Sequence, residues 1–206
     1  MQADDNVPSG YEKVQSLDFS NGAYVETDII FGVGVSVIGE VYVATGTDRP
    51  YFFFGWGNIS NYTLCSNFLP TPPYGLQMYV DSVNWTPYVV CPLGDQWVTM
   101  EVKLRSNNSE YSYIKINEDY ICTGNIATPY FYVNLKVLIY NRANRITSGS
   151  RVAYSIKKTD MYDASGDLVG HFIPCKRLSD NVYGLYNTIT KTFCAGVGSI
   201  GQDSHI

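Results

Sequence analysis

The chain has 206 residues, of which only 16% are charged and 15% are aromatic, including 18 tyrosines, and its net charge is −5. That balance excludes an intrinsically disordered segment, which needs the opposite bias, and a nucleic-acid binder, which needs a basic face. No apolar run is long enough for a membrane-spanning helix, and the opening MQADDNVPSG has neither the positive nor the apolar part of a signal peptide. The expectation is one domain over residues 11–206 preceded by a polar arm, residues 1–10, with no nucleic-acid partner and no membrane insertion.

Alternation of period two runs through the chain. Tyr24–Ile29 is the first candidate strand. The odd positions Val35, Val37, Gly39, Val41 and Val43 then form an apolar row. Tyr51–Trp56 follows, then the short row Leu76, Met78 and Val80. Val98, Met100, Val102 and Leu104 alternate with Thr99, Glu101 and Lys103. Tyr111–Ile116 comes next, then the row Phe131, Val133, Leu135, Val137 and Ile139. The last candidates are Val152–Ile156, Leu168–Ile173, Val182–Tyr186 and Ile189–Cys194. Loops are marked by Gly46–Pro50, Pro70–Gly75, Ser106–Ser109 and Asn141–Ser150. Asn117-Glu118-Asp119 reads as a tight turn without the glycine that a type I′ turn prefers. No window sustains helical apolar spacing. The pattern predicts an all-β chain, an antiparallel two-sheet sandwich with the Val35–Val43, Val98–Val102 and Val133–Val137 rows turned inward.

Residues able to carry chemistry are sparse. A retaining glycosidase needs two carboxyls about 5–5.5 Å apart, usually alternating along one strand. Here Glu40 and Glu101 stand alone in their strands, and Glu118 and Asp119 lie in a turn. His171 and His205 have no nucleophile in a recognisable motif and read as structural. Cys65, Cys91, Cys122, Cys175 and Cys194 lack metal-ligand spacing and read as reduced thiols. No enzyme, no metal site and no cofactor are expected. Two clusters suit a sugar, because an aromatic face stacks on the apolar side of a pyranose while amides bond its hydroxyls: Trp56 with Asn58, and Asn84 with Trp85 and Tyr88. Tyrosines opposite the apolar rows, Tyr42, Tyr79, Tyr132 and Tyr140, point to a homo-oligomer or a docked position on a particle.

Three segments resemble a known family. They are Pro8-Ser9-Gly10-Tyr11 leading to Tyr24–Ile29; Trp97–Val102 leading to Tyr113–Asn117; and Asp163–Gly170 leading through Phe172-Ile173-Pro174-Cys175-Lys176-Arg177, Gly184-Leu185-Tyr186-Asn187 and Phe193 to Gly196-Val197-Gly198-Ser199. In this order they resemble concanavalin A-like (laminin-G-type) jelly-roll domains of gut bacterial surface proteins and of phage tail or head accessory proteins. Asp28 and Cys194 depart from that pattern, standing where a glycine and an aromatic are usual. The resemblance implies a jelly-roll sandwich. Together with a start at Met1 and no export signal, it implies a non-enzymatic phage virion structural or adhesion protein, assembled in the host cytoplasm with other virion proteins and able to bind glycans. The alternatives are the carbohydrate-binding module of a bacterial surface protein and, against the missing carboxylate pair, a glycoside hydrolase.

Overall fold

The computed structural model describes residues 5–31, 34–43, 51–58, 61–69, 75–80, 84–85, 89–90, 95–103, 112–124, 133–138 and 154–202. Among them every regular element is a strand. These are β1 (Tyr11–Lys13), β2 (Leu17–Phe31), β3 (Ser36–Val43), β4 (Tyr51–Asn58), β5 (Asn61–Leu69), β6 (Gly75–Val80), β7 (Asn84–Trp85) and β8 (Val89–Val90), followed by β9 (Gln96–Lys103), β10 (Ser112–Ile116), β11 (Tyr120–Gly124), β12 (Val133–Leu138), β13 (Tyr154–Tyr162), β14 (Leu168–Arg177), β15 (Val182–Asn187) and β16 (Thr192–Gln202). The hydrogen-bonded order is β11-β10-β9-β3-β13-β14-β15-β16-β2-β12-β4-β5-β6-β7, with β1 added to β14 and β8 to β6. β13 also pairs with β2, so β13, β14, β15, β16 and β2 close into a ring. The path turns back on itself, because β6 lies against β10 and β11 from its far end.

The apolar rows explain which face is buried. Val37 and Val41 of β3 sit opposite Val102 and Val98 of β9, and all four are buried together with Met100 and Val35. Ile114 and Ile116 of β10 continue this core, and Leu17, Phe19, Val25, Ile156, Phe172 and Leu185 fill the ring. Each such side chain contributes about 1.5–3 kcal/mol by leaving water. The inward placement expected for the β3 and β9 rows is therefore found. The side chains of Val43, Val133, Leu135 and Val137 lie outside the described residues, although Val137 pairs through its backbone with Val25.

The ring has longer strands than the alternation suggests. β13 runs on to Tyr162, and β16 starts only at Thr192, because Thr188–Lys191 forms the hairpin turn with Lys191 at φ 62°. Pro174 lies inside β14, where proline normally removes a ladder bond. Here β13 partners β14 up to Phe172 and β1 takes over at Cys175. The Pro174 carbonyl accepts the Val14 N–H on that same side, so its missing N–H falls in the gap between the two partners, and the β15 ladder stays continuous.

Candidate functional site

The face of β3, β9, β10 and β13 turned away from the core carries the densest group of half-buried polar and aromatic side chains. Alternation puts Ser36, Ile38, Glu40 and Tyr42 of β3 on it, with Trp97, Thr99, Glu101 and Lys103 of β9 opposite them. Tyr42 and Trp97 are direct cross-strand partners whose rings meet edge to face, 5.7 Å between centroids. Such a pair contributes about 0.5–1.5 kcal/mol beyond its buried area. The Lys157 ammonium from β13 lies 4.2 Å from the Trp97 ring centroid and 3.4 Å from the Glu40 carboxylate.

One step along the face, Lys115 of β10 bridges Glu101 at 2.8 Å and Glu118 at 2.9 Å. Tyr113 donates its hydroxyl to Glu101 Oε1 at 2.5 Å. These contacts push the Lys115 ammonium above the usual lysine range, with the Glu101 bond as the main cause. Burial, and then the bond to Glu101, pushes the Tyr113 phenol up as well. Glu40 and Glu101 do not stand alone as their separate strands suggest. Glu40 pairs with Thr99 and Glu101 with Ile38, which makes the two carboxylates diagonal neighbours on one face. Each is committed to a lysine, which suits a fixed charged surface better than a proton-transfer couple.

The tight turn that ends this face is a type I′ turn. Asn117 and Glu118 take φ of 49° and 65°, and the Asp119 N–H donates to the Ile116 carbonyl at 3.1 Å. Asn117 replaces the ladder at this end: its N–H donates to the Thr99 carbonyl at 3.0 Å, and its Oδ1 accepts the Thr99 N–H at 2.8 Å.

A second polar cluster sits at the ring. His171 on β14 is buried, with Nδ1 against Asp160 of β13 and Nε2 2.9 Å from Asp5 of the N-terminal segment. Asn187 is also buried. Its Oδ1 accepts the His171 N–H at 3.2 Å and the Ile189 N–H at 3.0 Å, and its Nδ2 donates to Asp28 at 3.1 Å. Thr190 Oγ1 and Cys194 Sγ also donate to Asp28. The two departures from the family pattern, Asp28 and Cys194, thus meet in one network. Burial pushes the Cys175 and Cys194 thiols up to about 12, Asp28 adding to the effect at Cys194, which favours the protonated thiol over the thiolate. Both are free thiols.

Trp56 and Asn58 lie on β4, and Asn84 and Trp85 on β7. Asn58 pairs with Asn61 of β5. A backbone row runs from Trp85 through Tyr79 and Cys65 to Gly55, the neighbour of Trp56. The two expected sugar clusters therefore lie on one run of four strands, β4 to β7, with Trp56 one residue off the row that holds Trp85. Tyr88, His205, Cys91, Tyr132 and Tyr140 lie outside the described residues, as do the side chains of Trp56, Asn58, Asn84, Trp85, Cys65 and Cys122. The Tyr42–Trp97 pair is not among the sugar clusters expected from sequence, which reads Tyr42 as an interface tyrosine. Both residues occupy the off-row positions of two strongly alternating strands.

No protein-family model matches the chain, and no curated protein matches it. Solved structures do resemble it. A glycosidic hydrolase superposes with a TM-score of 0.53 at 12% identity, covering 78% of this chain and 94% of that one. A Bacteroides ovatus protein ascribed a carbohydrate-binding role superposes with a TM-score of 0.53 at 9% identity. That match covers 94% of this chain and 61% of the other, so the chain spans about three fifths of that protein. At these identities the likeness concerns the fold alone: the chain shares its all-β fold with these two proteins.

Proposed function

We propose that the chain is a two-sheet jelly-roll carbohydrate-binding module without hydrolase activity. The observation that carries the reading is the cross-strand Tyr42–Trp97 pair on the face away from the core, bordered by Glu40, Thr99 and Lys157. Aromatic rings beside hydrogen-bonding side chains on a rigid sheet are the chemistry that grips a pyranose. The fold likeness to a carbohydrate-binding protein over nearly the whole chain supports the same reading. Lys157 is matched by Glu40, and Lys115 by Glu101 and Glu118, so the described part of the face suits a neutral sugar better than an acidic one. The commitment of Glu40 and Glu101 to lysines supports binding without cleavage. Such binding is compatible with the virion setting that the resemblance implies and with the homo-oligomeric assembly that the tyrosines opposite the apolar rows point to, and equally with a bacterial surface.

The test is a panel of neutral and acidic glycans presented to the wild-type chain and to Trp97→Ala, Trp56→Ala and Trp85→Ala, with turnover assayed alongside. Binding of a neutral glycan that Trp97→Ala weakens by at least about tenfold supports the site. Loss confined to Trp56→Ala or Trp85→Ala moves it to the β4–β7 run. No binding to any member, or cleavage lost in Glu40→Gln or Glu101→Gln, contradicts the reading.

A further inference from the structure

His171 stands between two carboxylates from distant parts of the chain, Asp160 on β13 and Asp5, 166 residues away in sequence. A carboxylate only accepts hydrogen bonds, and a neutral imidazole has a single N–H to donate. Both contacts are hydrogen bonds at once only if both ring nitrogens carry protons. The residue is 3% exposed, so bulk water has little access to stand in for either partner. Its backbone is fixed as well: the N–H donates to Asn187 Oδ1, and the carbonyl accepts the Thr188 N–H at 2.8 Å.

From this geometry we infer that His171 is an imidazolium that works as a pH-sensitive clasp, holding the N-terminal segment onto the β13–β14 pair. The segment it grips is structurally engaged. The Lys13 ammonium donates to the Asp5 carbonyl at 3.1 Å, and the Gly10 carbonyl accepts the Leu178 N–H at 2.9 Å, at the start of the β14–β15 turn. The charged and titratable groups around the clasp come from several elements. They are Asp160, Tyr162 and Lys158 of β13, Asp5 of the segment, Lys13 of β1, Asp28 of β2 beyond Asn187, and Cys194 of β16 beside Asp28. The hydrogen bond to His171 is the main cause that holds the Asp5 carboxyl below the ordinary carboxylate value.

The contribution of Asp5 is complete above the ordinary carboxylate value and is lost as pH falls through its lowered one. When the His171 ring gives up one proton a single N–H remains, and one carboxylate then faces a lone pair. Asp5, on the exposed segment, is the partner free to leave. The clasp holds while both ring nitrogens are protonated and opens when one proton leaves.

The experiment is NMR on the full chain with ¹⁵N-labelled histidine rings. It uses His205→Gln, which leaves His171 as the only one of the two histidines. The pH is raised from about 5, below the ordinary imidazole value, until the ring titrates. Both ring nitrogens are expected to be protonated wherever the N-terminal segment is clasped. Amide-exchange protection at Leu178 is expected to fall on the order of tenfold as the second proton leaves, the size of one lost charged hydrogen bond. A singly protonated ring while Leu178 stays fully protected overturns the inference. So does protection that ignores the ring titration. Asp5→Asn supplies the independent check, because its amide can donate to an unprotonated Nε2. The pH dependence of the Leu178 protection disappears in that variant, and a variant that keeps the full wild-type dependence also overturns the clasp.

Discussion

Tyr186 and Phe193 on the ring, and Tyr42 and Trp97 on the β3–β9 face, are built from the same parts. Each is a directly opposed cross-strand aromatic pair. Each has a cation over one ring, Arg177 4.8 Å from the Phe193 centroid and Lys157 4.2 Å from that of Trp97. Each cation is held by a carboxylate, Asp180 for Arg177 and Glu40 for Lys157. They differ in burial. Tyr11 of β1 lies 5.2 Å from both Tyr186 and Phe193, and Tyr186 is buried while Phe193 is half-buried, whereas Tyr42 and Trp97 are both half-buried. Aromatic pairing across strands does not by itself fix how far the rings are buried. At Tyr186 the added strand β1 contributes.

The sharpest way to break the comparison is from beneath the Tyr186–Phe193 pair. A Cβ on Gly184 would meet the Cys194 carbonyl oxygen and, at 2.8 Å, the Phe193 ring. The backbone oxygen cannot step aside, so Gly184→Ala is expected to cost about 3 kcal/mol in denaturant unfolding. Removing the Tyr11 ring comes next. Tyr11→Ala should cost about 2–3 kcal/mol, less than a fully buried ring, and should leave glycan binding untouched. The equivalent cut at the β3–β9 pair acts on fold and binding together. Trp97→Ala loses the ring pair, the Lys157 contact and the buried part of the indole, about 2 kcal/mol, while weakening glycan binding. The smallest effect lies at the end of the β3–β9 face. Glu118 holds φ of 65° in the type I′ turn, and its ion pair with Lys115 is exposed on the glutamate side. Glu118→Gly should raise stability by about 0.5–1 kcal/mol, read as a higher denaturation midpoint at an unchanged slope.

The sequence carried the closed region and the inner faces well. Alternation located the buried rows of β3 and β9, since a period of two assigns every residue to a face. The segment from Asp163 to Ser199, quoted for the family resemblance, became β14, β15, β16 and their turns. It did not show that β13 pairs on both sides, or that Pro174 is tolerated because it sits where one partner strand hands over to another. Those facts belong to strand order, which no local pattern encodes. β5, Asn61–Leu69, was not foreseen, because its polar residues Asn61, Thr63, Ser66 and Asn67 break a clean alternation. The Asp5–His171–Asp160 group was unreadable for the same reason: its members are scattered over the whole chain and meet only after the ring closes. Glu40 and Glu101 became neighbours only through the β3–β9 register.

The proposed site places sugar on the Tyr42–Trp97 pair and not on Tyr186–Phe193. Titrating the chain with the neutral oligosaccharide that binds best on the glycan panel, while following aromatic and indole NMR signals, separates the two. Trp97 and Tyr42 are expected to shift in a saturable way while Tyr11, Tyr186 and Phe193 stay fixed, and the response is expected to vanish in Trp97→Ala. Saturable binding that leaves Trp97 and Tyr42 unmoved would overturn the site.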